Sequence, residues 1–146
     1  MAGIIFDTSV YISALRQGDS SLLSLRRAAR LGTDKSLPLW LSVVVLEELY
    51  VGASDHKTRK VFEAMEYDFV KAGRLLVPQR NEWVLAGQVL SNIGIKYGFD
   101  LIGKSRMIND ALIAMSVATH GFTVITKNSS DFQKIAEFRN FQWFVI

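Results

Sequence analysis

The sequence predicts an α/β fold with a central, mainly parallel sheet in a single domain, residues 1–146. Short apolar runs rich in β-branched residues alternate with longer amphipathic stretches, which is the order of strands joined by crossover helices. The length suits one domain, and no Pro-rich linker, composition break or internal repeat divides the chain. In open sheets of this kind, functional groups collect beyond the carboxyl ends of the strands.

The first half of the chain is predicted to contain two strands and four helices. Residues 3–7 are a short β-branched and aromatic run typical of a buried strand, and residues 39–42 are a second. Helices are expected after each strand, because amphipathic stretches bounded by capping residues and glycines follow. Their expected bounds are Ser9 to Gly18, Asp19 or Ser20 to Gly32, 42–53, and 54–73.

The second half is predicted to contain three strands and three helices. The strands are expected at 74–77, where Pro78 ends the run, at 122–126 and at 142–146. Helix 80–97 is amphipathic, and the positions expected to pack are Trp83, Val84, Ala86, Leu90 and Ile93. Residues 97–104 are predicted to form a loop, and helices are expected at 105–119 and 130–137.

Four acidic residues, Asp7, Glu48, Asp110 and Asp131, are predicted to meet at one edge of the sheet. Asp7 and Asp131 follow central strands, while Glu48 and Asp110 interrupt apolar helical stretches. Taken singly, the aspartates are explained equally well as turn residues or helix caps. Desolvated carboxylates without partners cost several kcal/mol each, and hard divalent cations bind oxygen ligands of this kind. The four together therefore indicate a metal site.

The composition excludes several classes of protein. The chain has no cysteine, which rules out disulfides, thiolate zinc sites and cysteine nucleophiles. The amino terminus lacks a basic segment and Asp7 interrupts the first apolar run, so a signal peptide is not expected. The longest apolar stretch is far shorter than the roughly 20 residues that span a bilayer. We expect a cytoplasmic protein that does not interact with membranes.

The charge balance favours a polyanionic partner. The formal net charge is +3, and committing four acids to a metal leaves 17 basic residues against ten acidic ones. A basic exterior suits nucleic acid, whose phosphates dominate its affinity for proteins. Two basic clusters, Arg26-Arg27-Arg30 and Lys57-Arg59-Lys60, are candidates for phosphate contacts. Taken alone, the clusters are better explained as ordinary solvated helix faces.

Four segments in order resemble the motifs of PIN-domain nucleases. They are residues 4–9 (IIFDTS), 42–49 (SVVVLEEL) with Gly52 and Ala53, 109–114 (NDALIA), and 126–132 (TKNSSDF). Their order and spacing are most similar to the single-domain VapC toxins of toxin–antitoxin pairs. The resemblance covers nearly the whole chain and implies a PIN-like three-layer α/β/α fold.

The resemblance also implies an activity and a set of site residues. Asp7, Glu48, Asp110 and Asp131 would bind Mg²⁺ or Mn²⁺, with Ser9, Thr126 and Asn128 as supporting polar neighbours. The expected function is metal-dependent hydrolysis of RNA by an endoribonuclease, with one or two ions per site left open. Family members form homodimers and are inhibited by a small antitoxin protein whose tail enters the cleft.

Two local features depart from the family pattern. Glu47 and Glu48 are adjacent, and Glu48 is preferred because the family's glutamate directly precedes a leucine, as Glu48 precedes Leu49. Segment 97–106 is long and polar, with Lys96, Lys104 and Arg106 near the expected site. It either contacts substrate phosphates or is a mobile insertion.

Other classes of protein fit the sequence less well. A non-catalytic α/β interaction module would not need four acids, although a solitary PIN nuclease in RNA processing remains an alternative to a toxin. A phosphotransfer receiver using Asp7 would want acidic neighbours and a late lysine, for which Lys127 is a poor candidate. A dinucleotide-binding enzyme is excluded because no Gly-rich turn follows the first strand.

The apolar residues of helix 54–73 and the segment before it predict an interface. An exposed patch of such residues would favour a two-fold dimer; the members are Leu49, Tyr50, Phe62, Met65, Tyr67, Phe69 and Val70. The alternative is that these side chains complete the core of the monomer.

Overall fold

The computed structural model describes residues 3–18, 38–104 and 106–146. The predicted helix from Asp19 or Ser20 to Gly32, and with it the basic cluster Arg26-Arg27-Arg30, lies outside the described residues. Everything below refers to the described ranges.

The sheet has five parallel strands, as the alternating pattern predicted. They are β1 (Ile4–Phe6), β2 (Leu39–Ser42), β3 (Leu75–Leu76), β4 (Thr123–Thr126) and β5 (Gln142–Val145). Their order is β3-β2-β1-β4-β5. The chain moves outward from β1 to β3 and then returns to the other side of β1, so the strand order reverses between β1 and β4. Crevices at such a reversal are where open α/β sheets bind ligands.

Seven helices connect the strands in the described part of the chain. They are α1 (Thr8–Gln17), α2 (Val43–Val51), α3 (His56–Lys71), α4 (Arg80–Tyr97), α5 (Phe99–Lys104), α6 (Met107–His120) and α7 (Ser129–Ala136). Helices α1, α2 and α3 have N-cap residues, Asp7, Ser42 and Asp55, whose side chains accept hydrogen bonds from backbone N–H groups of the first turn. Gly121 ends α6 in the left-handed conformation, with φ of 68°, as glycine does after many helices.

Helix α6 lies at the centre of the core. Met107 and every residue from 110 to 117 are buried, and a helix that is buried on nearly all sides must be covered by neighbours. It packs most extensively on α4. Because α6 leads directly into β4, this packing fixes the position of Asp110 in its first turn relative to the strand ends.

Residues Phe99–Lys104 form helix α5, so the loop predicted at 97–104 is wrong. Helix α5 folds back onto α4, and a Cβ at Gly94 would lie only 2.3–2.7 Å from ring carbons of Phe99. Glycine at position 94 therefore permits this close approach. Gly98 adopts a φ of 100° between the two helices, a conformation that glycine reaches without steric penalty.

The predicted packing face of α4 is wrong at two positions. In α4 the buried positions are Glu82, Ala86, Val89, Ile93 and Gly94, so Trp83 and Val84 lie beside the buried stripe and are 59% and 52% exposed. Because a helix advances about 100° per residue, a shift of one position decides which side chain faces the core.

The predicted patch around α3 mostly belongs to the monomer core. Its buried members are Leu49, Phe62, Met65 and Phe69. Tyr50 is half-buried and donates a hydrogen bond to Glu66, and only Tyr67 and Val70 are exposed. None of the described helices is both long and apolar enough to cross a membrane.

Candidate active site

Asp7 lies at the carboxyl end of β1 and is held on both carboxylate oxygens. Its Oδ1 accepts from the Ser9 backbone N–H at 3.1 Å and from Ser9 Oγ at 2.5 Å. Its Oδ2 accepts from Thr126 Oγ1 at 2.6 Å. Asp7 caps α1 at the same time, so the helix-capping explanation and a functional role are compatible. Asp7 is only 4% exposed, so its carboxylate is held in a largely buried position.

Ser9 and Thr126 join the ends of β1 and β4. Ser9 Oγ also accepts the Lys127 backbone N–H at 3.0 Å, and Thr126 Oγ1 accepts the Asn128 backbone N–H at 2.9 Å. The structure therefore places Ser9 and Thr126 where the sequence predicted polar neighbours of Asp7. Asn128 reaches this network through its backbone.

Glu48, and not Glu47, lies among the other acids. Its Oε1 accepts from Thr8 Oγ1 at 2.8 Å, and its Oε2 lies 3.9 Å from Arg106 Nε. Glu47 is exposed and faces a separate cleft beside Trp83. The preference for Glu48 over Glu47 thus agrees with the direction in which each side chain points.

Asp110 and Asp131 lie next to each other as a pair. They are 5% and 8% exposed, and their carboxyl groups share a side-chain hydrogen bond. Burial, this hydrogen bond and the charges of Asp131, Asp7 and Glu48 raise the pKa of Asp110 to about 9. At neutral pH the Asp110 carboxyl therefore holds a proton that a bound cation would displace.

Sequence reasoning missed the role of Thr8. Its hydroxyl orients a glutamate 40 positions away in the chain, so no local pattern reveals the contact. Only the pairing of β1 with β2, which brings α1 beside α2, places the two side chains together.

The donor set fits a hard divalent cation, although the cluster is not closed around one. Asp7, Glu48, Asp110 and Asp131 offer only oxygen atoms. Within the described ranges, no three acidic or histidine side chains are arranged to hold an ion as they stand. Mg²⁺ commonly keeps several waters and takes one or two protein carboxylates directly. A cation bound here would be held by the carboxylates of these residues, directly or through its waters.

The PIN domain family model matches residues 4–138, and the chain belongs to the PIN domain family. The resemblance read from the four motifs is confirmed at this level. Among curated proteins, no relative matches the chain.

Solved structures share this fold over almost the full length of the chain. One is VapBC2 from Rickettsia felis bound to a DNA fragment from its promoter, with a TM-score of 0.64, 19% identity and coverage of 100% of this chain and 99% of that one. Another is DNA-bound VapBC from Salmonella typhimurium, with a TM-score of 0.65, 18% identity and coverage of 99% and 98%. A third is VapBC-1 from nontypeable Haemophilus influenzae, with a TM-score of 0.63, 22% identity and coverage of 99% of this chain and 98% of that one. At these identities the likeness concerns the fold.

Proposed function

We propose that this chain is a metal-dependent endoribonuclease that hydrolyses RNA phosphodiester bonds with Mg²⁺ or Mn²⁺ bound at Asp7, Glu48, Asp110 and Asp131. The observation that carries the proposal is the convergence of these four acids at the carboxyl edge of a PIN-domain sheet. Asp110 has the other three as electrostatic neighbours although they come from separate elements of the chain. A buried acidic cluster is unfavourable without a counter-charge.

The side chains of the cluster have distinct tasks in this proposal. A divalent cation would supply a more acidic bound water and positive charge for the phosphoryl oxygens. Ser9 and Thr126 fix the orientation of Asp7, because between them they bond both of its oxygens. Thr8 holds one oxygen of Glu48 and leaves the other towards Arg106. Asp110 and Asp131 would contribute carboxylate oxygens to the cation, and Asp110 would lose its proton when the cation binds.

We further propose that the chain acts as the toxin of a toxin–antitoxin pair and binds a small antitoxin protein. Support comes from fold neighbours that are VapBC complexes, matched over nearly their whole chain lengths. A solitary PIN nuclease would share the fold and the acids. Co-purification of the protein with the product of an adjacent small gene would separate these alternatives.

The test of the activity is release of acid-soluble fragments from end-labelled RNA. We expect cleavage with Mn²⁺ or Mg²⁺ and none in excess chelator, with recovery after the metal is restored. Cleavage that persists unchanged in chelator would contradict the metal requirement. A folded protein that leaves a broad panel of RNAs intact with either metal would instead support a non-catalytic interaction module.

A further inference from the structure

A cleft with a basic lining adjoins the acidic cluster. It has a volume of about 370 Å³ and is lined by Ser9, Ile12, Ser13, Arg16, Arg106 and Lys127. We infer that this cleft binds a phosphodiester of the RNA strand next to the one that is cut, an assignment that rests on the proposed function. It would make Arg16 and Lys127 substrate-binding residues.

Three separate segments build the cleft around α1. Ser9, Ser13 and Arg16 follow one another at helical spacings of four and three, so they share one face of α1. Lys127 comes from the turn between β4 and α7, and its Nζ donates to Ser13 Oγ at 2.9 Å. Arg106 precedes α6, and its backbone carbonyl accepts from the Asp110 N–H. The cleft is thus fixed by the same elements that position the acids.

The cleft and the acidic cluster share a wall. Ser9 lines the cleft, and its hydroxyl donates a hydrogen bond to Asp7 Oδ1. Arg106 lines the cleft as well and places its guanidinium 3.9 Å from Glu48. A strand with one phosphodiester at the acids must continue over a neighbouring surface, and on this side that surface is the cleft.

The lining has the charge and the donors that a phosphodiester requires. Three of its six residues are cationic and none is acidic. The three cationic side chains, Arg16, Arg106 and Lys127, are all exposed to solvent. The protein without RNA therefore carries no buried, unpaired positive charge at the cleft. Arginine presents several N–H donors to phosphate oxygens and lysine contributes a point charge. The Ser13 hydroxyl, which accepts from Lys127 Nζ, adds one further donor.

A different basic cluster provides a matched comparison. Lys57, Arg59 and Lys60 are exposed on α3 and do not line this cleft. Arg59 lies 3.7 Å from Glu63 one turn away, which favours the interpretation of this cluster as an ordinary helix face. Lys60→Gln therefore removes one positive charge from the protein without touching the cleft.

The test compares Arg16→Gln, Lys127→Gln and the double variant with Lys60→Gln. Fluorescence anisotropy would follow a labelled single-stranded RNA in chelator, across a salt series, and steady-state cleavage would follow with Mn²⁺. We expect weaker RNA binding and a KM raised severalfold for each cleft variant, with kcat nearly unchanged, because a ground-state contact is lost. Each lost phosphate contact should reduce the salt slope by about 0.7. Lys60→Gln should behave as the wild type.

The outcomes separate this inference from the proposed function. If the wild type cleaves RNA while both cleft variants keep its dissociation constant and KM, the cleft assignment is overturned and the nuclease stands. Equal weakening by Lys60→Gln also overturns the assignment, because the effect then follows net charge alone. If the cleft variants lose affinity for an acidic peptide and keep it for RNA, the cleft binds a protein partner and the assignment is again overturned. If the cleft variants bind RNA more weakly than the wild type but the wild type cleaves no RNA, the cleft is an RNA-binding site and the proposed nuclease activity is rejected.

Discussion

Asp110 links the stability of the metal-free protein to pH. Burial and the neighbouring acids raise its pKa in the folded state to about 9, well above the ordinary range of an aspartate, so the folded protein retains a proton that the unfolded chain releases. As the pH rises from about 4 towards 9, this group therefore lowers the free energy of unfolding. Below pH 4 the carboxyl is protonated in both states and the effect vanishes.

Asp110→Asn should remove this pH dependence. In chelator at pH 8 we expect the variant to be more stable than the wild type, by an amount on the order of a few kcal/mol, with the difference shrinking towards pH 4. Thermal unfolding followed by circular dichroism across this range measures it. Asp100→Asn, at an exposed position in α5, is the control and should follow the wild type. If the stability of Asp110→Asn changes with pH in the same way as that of the wild type, Asp110 is not the group with the raised pKa.

The two adjacent glutamates should differ sharply in their effect on activity. Glu48 contacts Thr8 and lies near Arg106, whereas Glu47 faces away into another cleft. Glu48→Gln is expected to lower RNA cleavage by orders of magnitude and to weaken Mn²⁺ binding, and Glu47→Gln to change both little. Cleavage rates and calorimetric Mn²⁺ titration test this. A selective loss of Mn²⁺ affinity in Glu47→Gln would show that the helix register is misassigned.

At the residue scale, the position of a side chain could be predicted where it directly follows the end of a strand. Asp7 was predictable because β1 is a short apolar run and the acid directly follows it. The Thr8–Glu48 contact was not, since it depends on which helices become neighbours in space. The choice between Glu47 and Glu48 rested on a family motif, because spacing along an isolated helix does not say which face meets the cleft.

At the scale of elements, the approach of α5 to α4 depends on one glycine. Gly94→Ala would place a Cβ against the Phe99 ring, so α5 must shift, and with it the segment that leads to Arg106. We expect lower stability in urea unfolding and reduced RNA cleavage. Gly87→Ala, in the same helix with nothing near its Cβ position, should instead stabilise by about 1 kcal/mol through helix propensity. Equal behaviour of the two variants would argue against this packing.

The error at 97–104 has a physical cause. Gly98 and Gly103 are helix breakers by propensity, and six residues are too few to form a stable helix alone. Packing on α4, with Leu101 and Ile102 half-buried, outweighs that preference. The helices on either side of it, α4 and α6, were predictable as long segments that end at glycines, Gly98 and Gly121. Strand β3 contains only two residues, fewer than its sequence pattern predicted.

At the scale of the whole molecule, we propose a homodimer that uses the corner between β3 and α4. Val77, Trp83 and Val84 are between 52% and 59% exposed there, and Val77 and Trp83 line one cleft. Exposed apolar side chains grouped in this way mark interfaces, and two-fold pairs are the commonest solution. This location replaces the predicted patch around α3, most of which is core.

Light scattering at micromolar concentration tests the assembly. We expect a mass near twice the 16.4 kDa of the chain, and a shift towards the monomer in Trp83→Ser/Val84→Ser. Val51→Ser, which changes a side chain that is 82% exposed on α2, is the control and should remain dimeric. A wild-type mass of 16.4 kDa would refute the dimer.

The overall architecture was predictable because strand–helix alternation restricts an α/β chain to few topologies. The expectation that Asp7 and Asp131 lie at the same edge of the sheet followed from that alternation, since both come after central strands and parallel strands share their carboxyl ends. The outward-facing apolar surface was not predictable in the same way. The periodicity of apolar residues identifies the apolar face of a helix. It does not say whether that face packs inside the monomer or against a second molecule.

Cleavage of labelled RNA by wild-type protein and by Asp7→Asn, each with Mn²⁺, tests the central claim most directly. Asp7 is the acid whose two oxygens are both held in place, and the amide lacks the negative charge that binds a cation. We expect metal-dependent cleavage by the wild type and none by Asp7→Asn, with circular dichroism confirming that the variant is folded. Undiminished cleavage by a well-folded Asp7→Asn protein would contradict the assignment of this cluster as the active site.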